Sequence, residues 1–190
     1  MKKWKFNGET MTTDDGKTLH RIVATEDFGS VKAGEVGGWI EKEYNLRGSA
    51  WVSGSAVVRG SAVVRDSAEV CGSAVVRDSA EVCDSAVVRG LAVVRDSAVV
   101  RGLAVVRGLA DYITFHGFGS FNRTTTVFKC QDGQLRISCG CFLGTVEEFA
   151  KKVEETHGDS LYGREYKAII EVIKVHFEDY IKEHEAEART

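Results

Sequence analysis

A mainly β fold, in which a parallel solenoid carries a small β-rich N-terminal cap and an α+β C-terminal domain, is the class this sequence predicts. Three observations predict it. A six-residue repeat runs without a break from Arg47 to Ala110. Short alternating segments broken by glycine precede it. After it, the hydrophobic pattern changes to strands and then to the period of helices.

From Arg47 the chain reads RGSAWV, SGSAVV, RGSAVV, RDSAEV, CGSAVV, RDSAEV, CDSAVV, RGLAVV, RDSAVV, RGLAVV and RGLADY. Alanine and the last valine of each unit stand two positions apart, so on a strand they share one face, and the residue between them points the other way. Alanine and valine are expected inside. Gly or Asp followed by Ser or Leu supplies the corner, because Gly tolerates unusual backbone angles and Asp bonds its local backbone. Each unit is thus one short strand and one turn. A solenoid needs its open ends covered, and residues 1–46 are expected to cover one of them. There Leu19 to Ala24 and Trp39-Ile40 read as strands, separated by the glycine-rich Lys32 to Gly38.

Residues 111–190 are expected to form three strands and two helices. The strands are Tyr112 to Gly117, Thr124 to Cys130 and Gln134 to Cys139, the last two joined by a turn at Asp132-Gly133. Thr145 and Glu148 form a capping box, followed by Val146, Phe149, Ala150 and Val153 on one helical face up to Gly158. Tyr162, Tyr166, Ile169, Ile170, Ile173 and Phe177 carry a second helix into the polar tail Glu183 to Thr190.

Composition excludes several classes. Hydrophobic residues make up 43% and charged residues 28%, with a net charge of −3, as in a folded soluble protein. No stretch approaches the roughly 18 to 20 apolar residues of a membrane span, and Met1-Lys2-Lys3-Trp4-Lys5 opens no secretory leader. A cytoplasmic protein with reduced thiols is expected, and no membrane partner. The repeats hold 8 basic and 6 acidic groups, short of the excess that marks a nucleic-acid groove, so nucleic acid is not an expected partner.

The repeat resembles the hexapeptide-repeat family, whose fold is a left-handed parallel β-helix with three units to each triangular coil. Val58, Val64 and Val70 match its inward aliphatic position, and Ala62, Ala68 and Ala74 its small one. The resemblance implies 18-residue coils, and outward residues then fall into columns. Val57, Val75 and Val93 form the column that is apolar throughout, the expected interface of a homotrimer, which the family commonly forms. The alternative is that the C-terminal helices cover it. Arg59, Arg77 and Arg95 stack at one corner as a possible anion ladder, unless Asp66, Asp78, Asp84 and Asp96 balance them.

Many members of that family are acyltransferases that use a histidine base, and some are zinc enzymes that use three histidines. The repeats contain no histidine and no extruded loop; His20, His116, His157, His176 and His184 all lie in the flanks. Catalysis, a cofactor and a metal are therefore not expected, and Cys71 and Cys83 read as drift from arginine.

Ligand candidates lie after the repeat. Gly117-Phe118-Gly119-Ser120 followed by Asn122-Arg123-Thr124-Thr125-Thr126 offers backbone donors, hydroxyls and a guanidinium suited to an anionic or nucleotide ligand, or else forms a plain polar hairpin. His157-Gly158-Asp159 could pair an acid with a base or simply make a turn. Cys139 and Cys141 could join Cys130 or His157 on zinc, with packed thiols as the default.

Cys139-Gly140-Cys141-Phe142, Gly144-Thr145, Glu147-Glu148-Phe149, Thr156 to Asp159 and Tyr166 resemble a module of uncharacterised bacteriophage and prophage proteins. Asp27 to Gly34 and Gly37-Gly38-Trp39-Ile40 resemble the leader of phage hexapeptide-repeat proteins. These resemblances imply a phage origin and action in the host cytoplasm. The expected function is non-catalytic: a homotrimer that blocks a host defence component or sequesters a small nucleotide-like ligand. The alternatives are a virion-associated trimerisation scaffold and an acyltransferase.

Overall fold

The structure, a computed structural model, describes residues 2–187. The chain divides into two compact units, Met1–Asp111 and Tyr112–Thr190.

The first unit opens with an antiparallel meander, β1 Trp4–Thr12, β2 Thr18–Ala24 and β3 Val36–Ile40. Ten two-residue strands follow: β4 Trp51–Val52, β5 Val57–Val58, β6 Val63–Val64, β7 Glu69–Val70, β8 Val75–Val76, β9 Glu81–Val82, β10 Val87–Val88, β11 Val93–Val94, β12 Val99–Val100 and β13 Val105–Val106. Every third strand pairs in parallel, so Val57 stands opposite Val75, and Val75 opposite Val93. The result is three flat sheets, β1-β2-β3-β5-β8-β11, β13-β10-β7-β4 and β12-β9-β6, which wrap into a parallel β-solenoid of about four turns.

The repeat dictates this geometry through two positions. Its alanines and final valines fill the interior, with Ala56, Val58, Ala74, Val76, Ala92 and Val94 all fully buried. Each buried valine contributes roughly 1.5–3 kcal/mol. Its second position turns the corner, with φ between +60° and +71° in every unit from Gly48 to Gly102. That left-handed conformation strains most side chains but suits Gly, and Asp tolerates it because its carboxylate bonds nearby backbone. Here the carboxylate reaches the next coil: Asp84 Oδ2 accepts the Gly102 amide at 3.0 Å.

The solenoid begins earlier than the repeat does. Trp39 pairs with Val57 and Ile40 with Val58, while Leu46 bridges to Val64, so part of the expected 1–46 cap is already the first coil. Gly38 takes the alanine slot there, where a Cβ would lie 2.7 Å from the Ala56 carbonyl oxygen. The open end is closed by Asn45, the fully buried last residue of the 3-10 turn Glu43–Asn45. Its amide donates to the carbonyls of Ala62 at 2.7 Å and Gly60 at 3.2 Å, and its oxygen accepts the Lys42 amide at 2.7 Å. Groups that another coil would satisfy are thereby satisfied by one side chain.

Glu41 supports the same end, accepting the Gly60 amide at 2.6 Å, with Lys42 at 3.2 Å and Lys17 at 3.9 Å. Burial pushes this carboxyl up, but the Gly60 amide and the two ammonium groups outweigh it and hold it below the usual 4.5. A depressed folded value means stability that is complete above the unfolded value and is lost as the pH falls through the folded one. Thermal unfolding of the wild type between about pH 5 and pH 3 should therefore lose more stability than Glu41→Gln does; parallel curves would remove Glu41 from this role.

The second unit is a four-stranded antiparallel sheet, β14 Tyr112–Phe118, β15 Arg123–Lys129, β16 Leu135–Cys139 and β17 Phe142–Thr145, in that order. Its helices are α1 Val146–His157, α2 Leu161–His176 and α3 Glu178–Glu187. Val127, Ile137, Phe149, Ile169, Ile173 and Phe177 form its core. The capping box is present, with the Glu148 amide donating to Thr145 Oγ1 at 3.2 Å and Glu148 Oε2 accepting the Thr145 amide at 2.8 Å.

This differs from the expected three strands and two helices. β17 is four residues that run straight into the α1 cap, too short to show alternation. α3 falls in the segment that read as the end of the second helix and a polar tail, and packs Tyr180 and Ile181 against the core. Among the described residues no helix is long and apolar enough to cross a membrane.

Candidate functional site

The loop between β14 and β15 is held in an unusual backbone path, with positive φ at Gly117, Gly119 and Asn122. Gly119 is required by a neighbour as well as by its angle: a Cβ there would fall 2.2 Å from the Tyr166 hydroxyl. The Gly119 amide donates to Glu165 Oε2 at 3.2 Å, so the loop is tied to α2 at the residue before Tyr166.

Tyr166 is 6% exposed and is the centre of the cluster. Its hydroxyl lies 3.8 Å from Cys139 Sγ, to which Thr125 Oγ1 donates at 3.3 Å. Phe149 meets its ring edge-on at 5.5 Å, and His157 stacks on it at 5.7 Å. Burial, then the neighbouring Cys139, pushes the Tyr166 hydroxyl up to about 12, against the opposing pull of Arg123. A tyrosine so placed stays protonated and acts as a hydrogen-bonding post, not as a base.

Arg123 lies above this post. Its guanidinium packs over Gly140, where a Cβ would fall 2.1 Å from the nitrogen, and stands 4.8 Å from the Phe121 ring. Phe121 is 75% exposed. Among the described residues no carboxylate pairs with Arg123. An exposed ring beside an unpaired guanidinium offers a stacking surface and an anion contact together.

Of the residues expected to bind a ligand, Arg123, Thr125 and His157 converge on Tyr166. The others do not. Ser120 and Asn122 are exposed in the loop, and Thr124 turns to His116 Nδ1 at 3.0 Å. Asp159 leaves His157 and meets Lys167 at 3.1 Å, so the two make no acid–base pair. Sequence reasoning missed Phe121, Tyr166 and Glu165. The thiols also separate: Thr125 faces Cys139 at one end of β15, whereas Cys130 follows its other end, beside Arg136.

Away from this cluster, a concavity of about 490 Å³ lies between Gly133–Leu135, Val146 and α3. His184 closes one side, its Nδ1 donating to the Tyr180 carbonyl at 2.8 Å.

On the solenoid, the arginine ladder is neutralised. Arg59 meets Asp15 at 2.7 Å, Arg77 meets Asp78 at 2.7 Å and Arg95 meets Asp96 at 3.6 Å. Asp15 comes from the β1–β2 turn, a partner no local pattern reveals. At the next corner the donor atoms of Asp66, Cys83 and Asp84 lie within 4.8 Å of one another. Arg65 already binds Asp66 and Glu81, and burial pushes the Cys83 thiol up to about 12, away from the thiolate a metal needs. Val57, Val75 and Val93 stand in one outward row of half-buried side chains.

The fold and these features define a class of molecule: a repeat-built rod joined to a small α+β unit bearing an aromatic and cationic surface. Beyond that class, no family model and no curated protein matches the chain.

Proposed function

We propose that this is a non-catalytic binding protein whose C-terminal unit holds a small nucleotide-like anion at Arg123 and Phe121, and whose solenoid assembles three copies of that unit. The unpaired Arg123 guanidinium, seated between an exposed aromatic ring and a glycine, carries the reading. A base stacks on Phe121, the guanidinium holds phosphate, and the protonated Tyr166 hydroxyl fixes the floor beneath. Sequestering such a ligand in a host cell, as the phage resemblance implies, requires binding without turnover.

Thermal unfolding with candidate nucleotides tests it. Ligand at 100 times its dissociation constant should stabilise the fold by about 2.7 kcal/mol, and Arg123→Ala should remove most of that shift while leaving the unliganded midpoint within about 0.5 kcal/mol. No shift with any mono-, di- or cyclic nucleotide sinks the small-ligand reading.

The scaffold reading, in which the rod only trimerises, has its own support in the valine row. It predicts assembly without a ligand shift.

A further inference from the structure

Helix α2 is buried on one face only. Tyr166, Ile169, Ile170 and Ile173 are buried and form the core side of the helix. The opposite side is not simply polar. Leu161, Val172 and Val175 are 59%, 49% and 75% exposed, and Ala168 is exposed between them. With Glu165 they follow one another in steps of four and three residues, which keeps a single narrow seam in line along the helix, the spacing of a two-helix contact. Glu165 is tolerated in that seam because its carboxylate is turned to the Gly119 amide at 3.2 Å. An apolar seam on the outer side of a helix that is already packed on its inner side calls for a cover.

Charge beside the seam says what the cover is. Arg164 and Glu171 lie seven residues apart, on the same flank of the seam. Among the described residues no carboxylate pairs with Arg164. Glu171 meets Lys174 at 2.8 Å in an exposed pair along the helix, and a carboxylate accepts more than one donor. The flank thus offers one cation and one anion, and the surface complementary to it is the same flank run in the opposite direction.

We propose that α2 pairs with α2 of a second copy, antiparallel, about a twofold axis at Ala168. Ala168 is the midpoint between Leu161 and Val175, so the axis sets Leu161 of each copy against Val175 of the other. Arg164 and Glu171 lie four residues before and three residues after it, so each guanidinium meets the other copy's carboxylate, twice by symmetry. Ala168 meets its own copy, where a small side chain lets the two backbones approach. Glu165 then stands beside Val172 of the other copy, so the contact abuts the residue that holds the Gly119 loop. It is independent of the rod and of its valine row. Five positions on one helix fall short of the roughly 20–30 residues a side of a standard interface, so the pairs exchange and are read by trapping.

Oxidation of the full chain tests the pairing, in a Cys141→Ser background because that thiol is exposed. Ala168→Cys gives a covalent dimer, and so does a mixture of Leu161→Cys and Val175→Cys chains. Val175→Cys alone gives about tenfold less, its two copies lying about 21 Å apart along the helix axis. In the Ala168→Cys chain, Arg164→Glu or Glu171→Arg lowers the yield about tenfold, and both together restore it. Equal dimer from Val175→Cys overturns the antiparallel register, and yields indifferent to charge overturn the Arg164–Glu171 contact. Absence of dimer from Ala168→Cys overturns the pairing itself. So does loss of that dimer when Val75→Glu is added, because the cross-link would then follow assembly of the rod.

Discussion

Val76→Asp should abolish the solenoid and leave the helices folded. Val76 is fully buried between Val58 and Val94 in the interior column, among the alanines and valines of the repeat. An unpaired carboxylate there costs several kcal/mol even after its pKa rises. A solenoid gains its stability from nearest-neighbour stacking, so one broken coil in the middle uncouples the coils on both sides. The second unit has its own core around Phe149, Ile169 and Ile173. Circular dichroism should therefore keep the helical signal of α1 and α2 while hydrogen exchange loses protection at Val57, Val75 and Val93. Loss of the helices together with the rod would show that the two units fold as one.

Gly119→Ala is the largest effect expected in the second unit. It places a methyl group 2.2 Å from the Tyr166 hydroxyl at a φ of +72°. Backbone strain of about 1–2 kcal/mol adds to overpacking of about 1–3 kcal/mol, and the loop must leave Tyr166 or Tyr166 must leave Cys139. Tyr166→Phe in the same chain removes the nearest clashing atom but leaves ring carbons at 2.8 and 2.9 Å, so it should recover part of the overpacking and none of the strain. Thermal melts of the two single variants and the double one measure that recovery. Strictly additive losses would mean that the hydroxyl and the loop do not meet.

The rod was legible because its instruction is repeated: two buried positions and one left-handed position in each unit leave few alternatives. Its beginning was not. Gly38 replaces alanine and a 3-10 turn interrupts the six-residue step, so Trp39 and Leu46 carry the geometry of the repeat without its letters. In the second unit the capping box at Thr145 and Glu148 could be read from two residues, since a local hydrogen-bond pair needs nothing distant. Tyr166 read as one more core position on an amphipathic helix. Its hydroxyl acquires meaning only from Cys139 and Gly119, which no local pattern connects to it. Phe121 went unremarked because its exposure depends on where the loop turns. Asp15 reached Arg59 across a hairpin for the same reason.

The corners of the rod set a counting rule for its evolution. Because Val57, Val75 and Val93 repeat at the pairing interval of one full coil, gaining or losing a whole coil lengthens or shortens every face and leaves each residue on its own side. Gaining or losing a single unit moves everything downstream to the next face, which would cut the apolar row and carry Arg89 away from the corner it shares with Gly54. Nearly identical units make both events easy at the level of the gene. Only the first kind preserves the molecule's sides, so length in this chain is free to drift in whole turns while its faces are not.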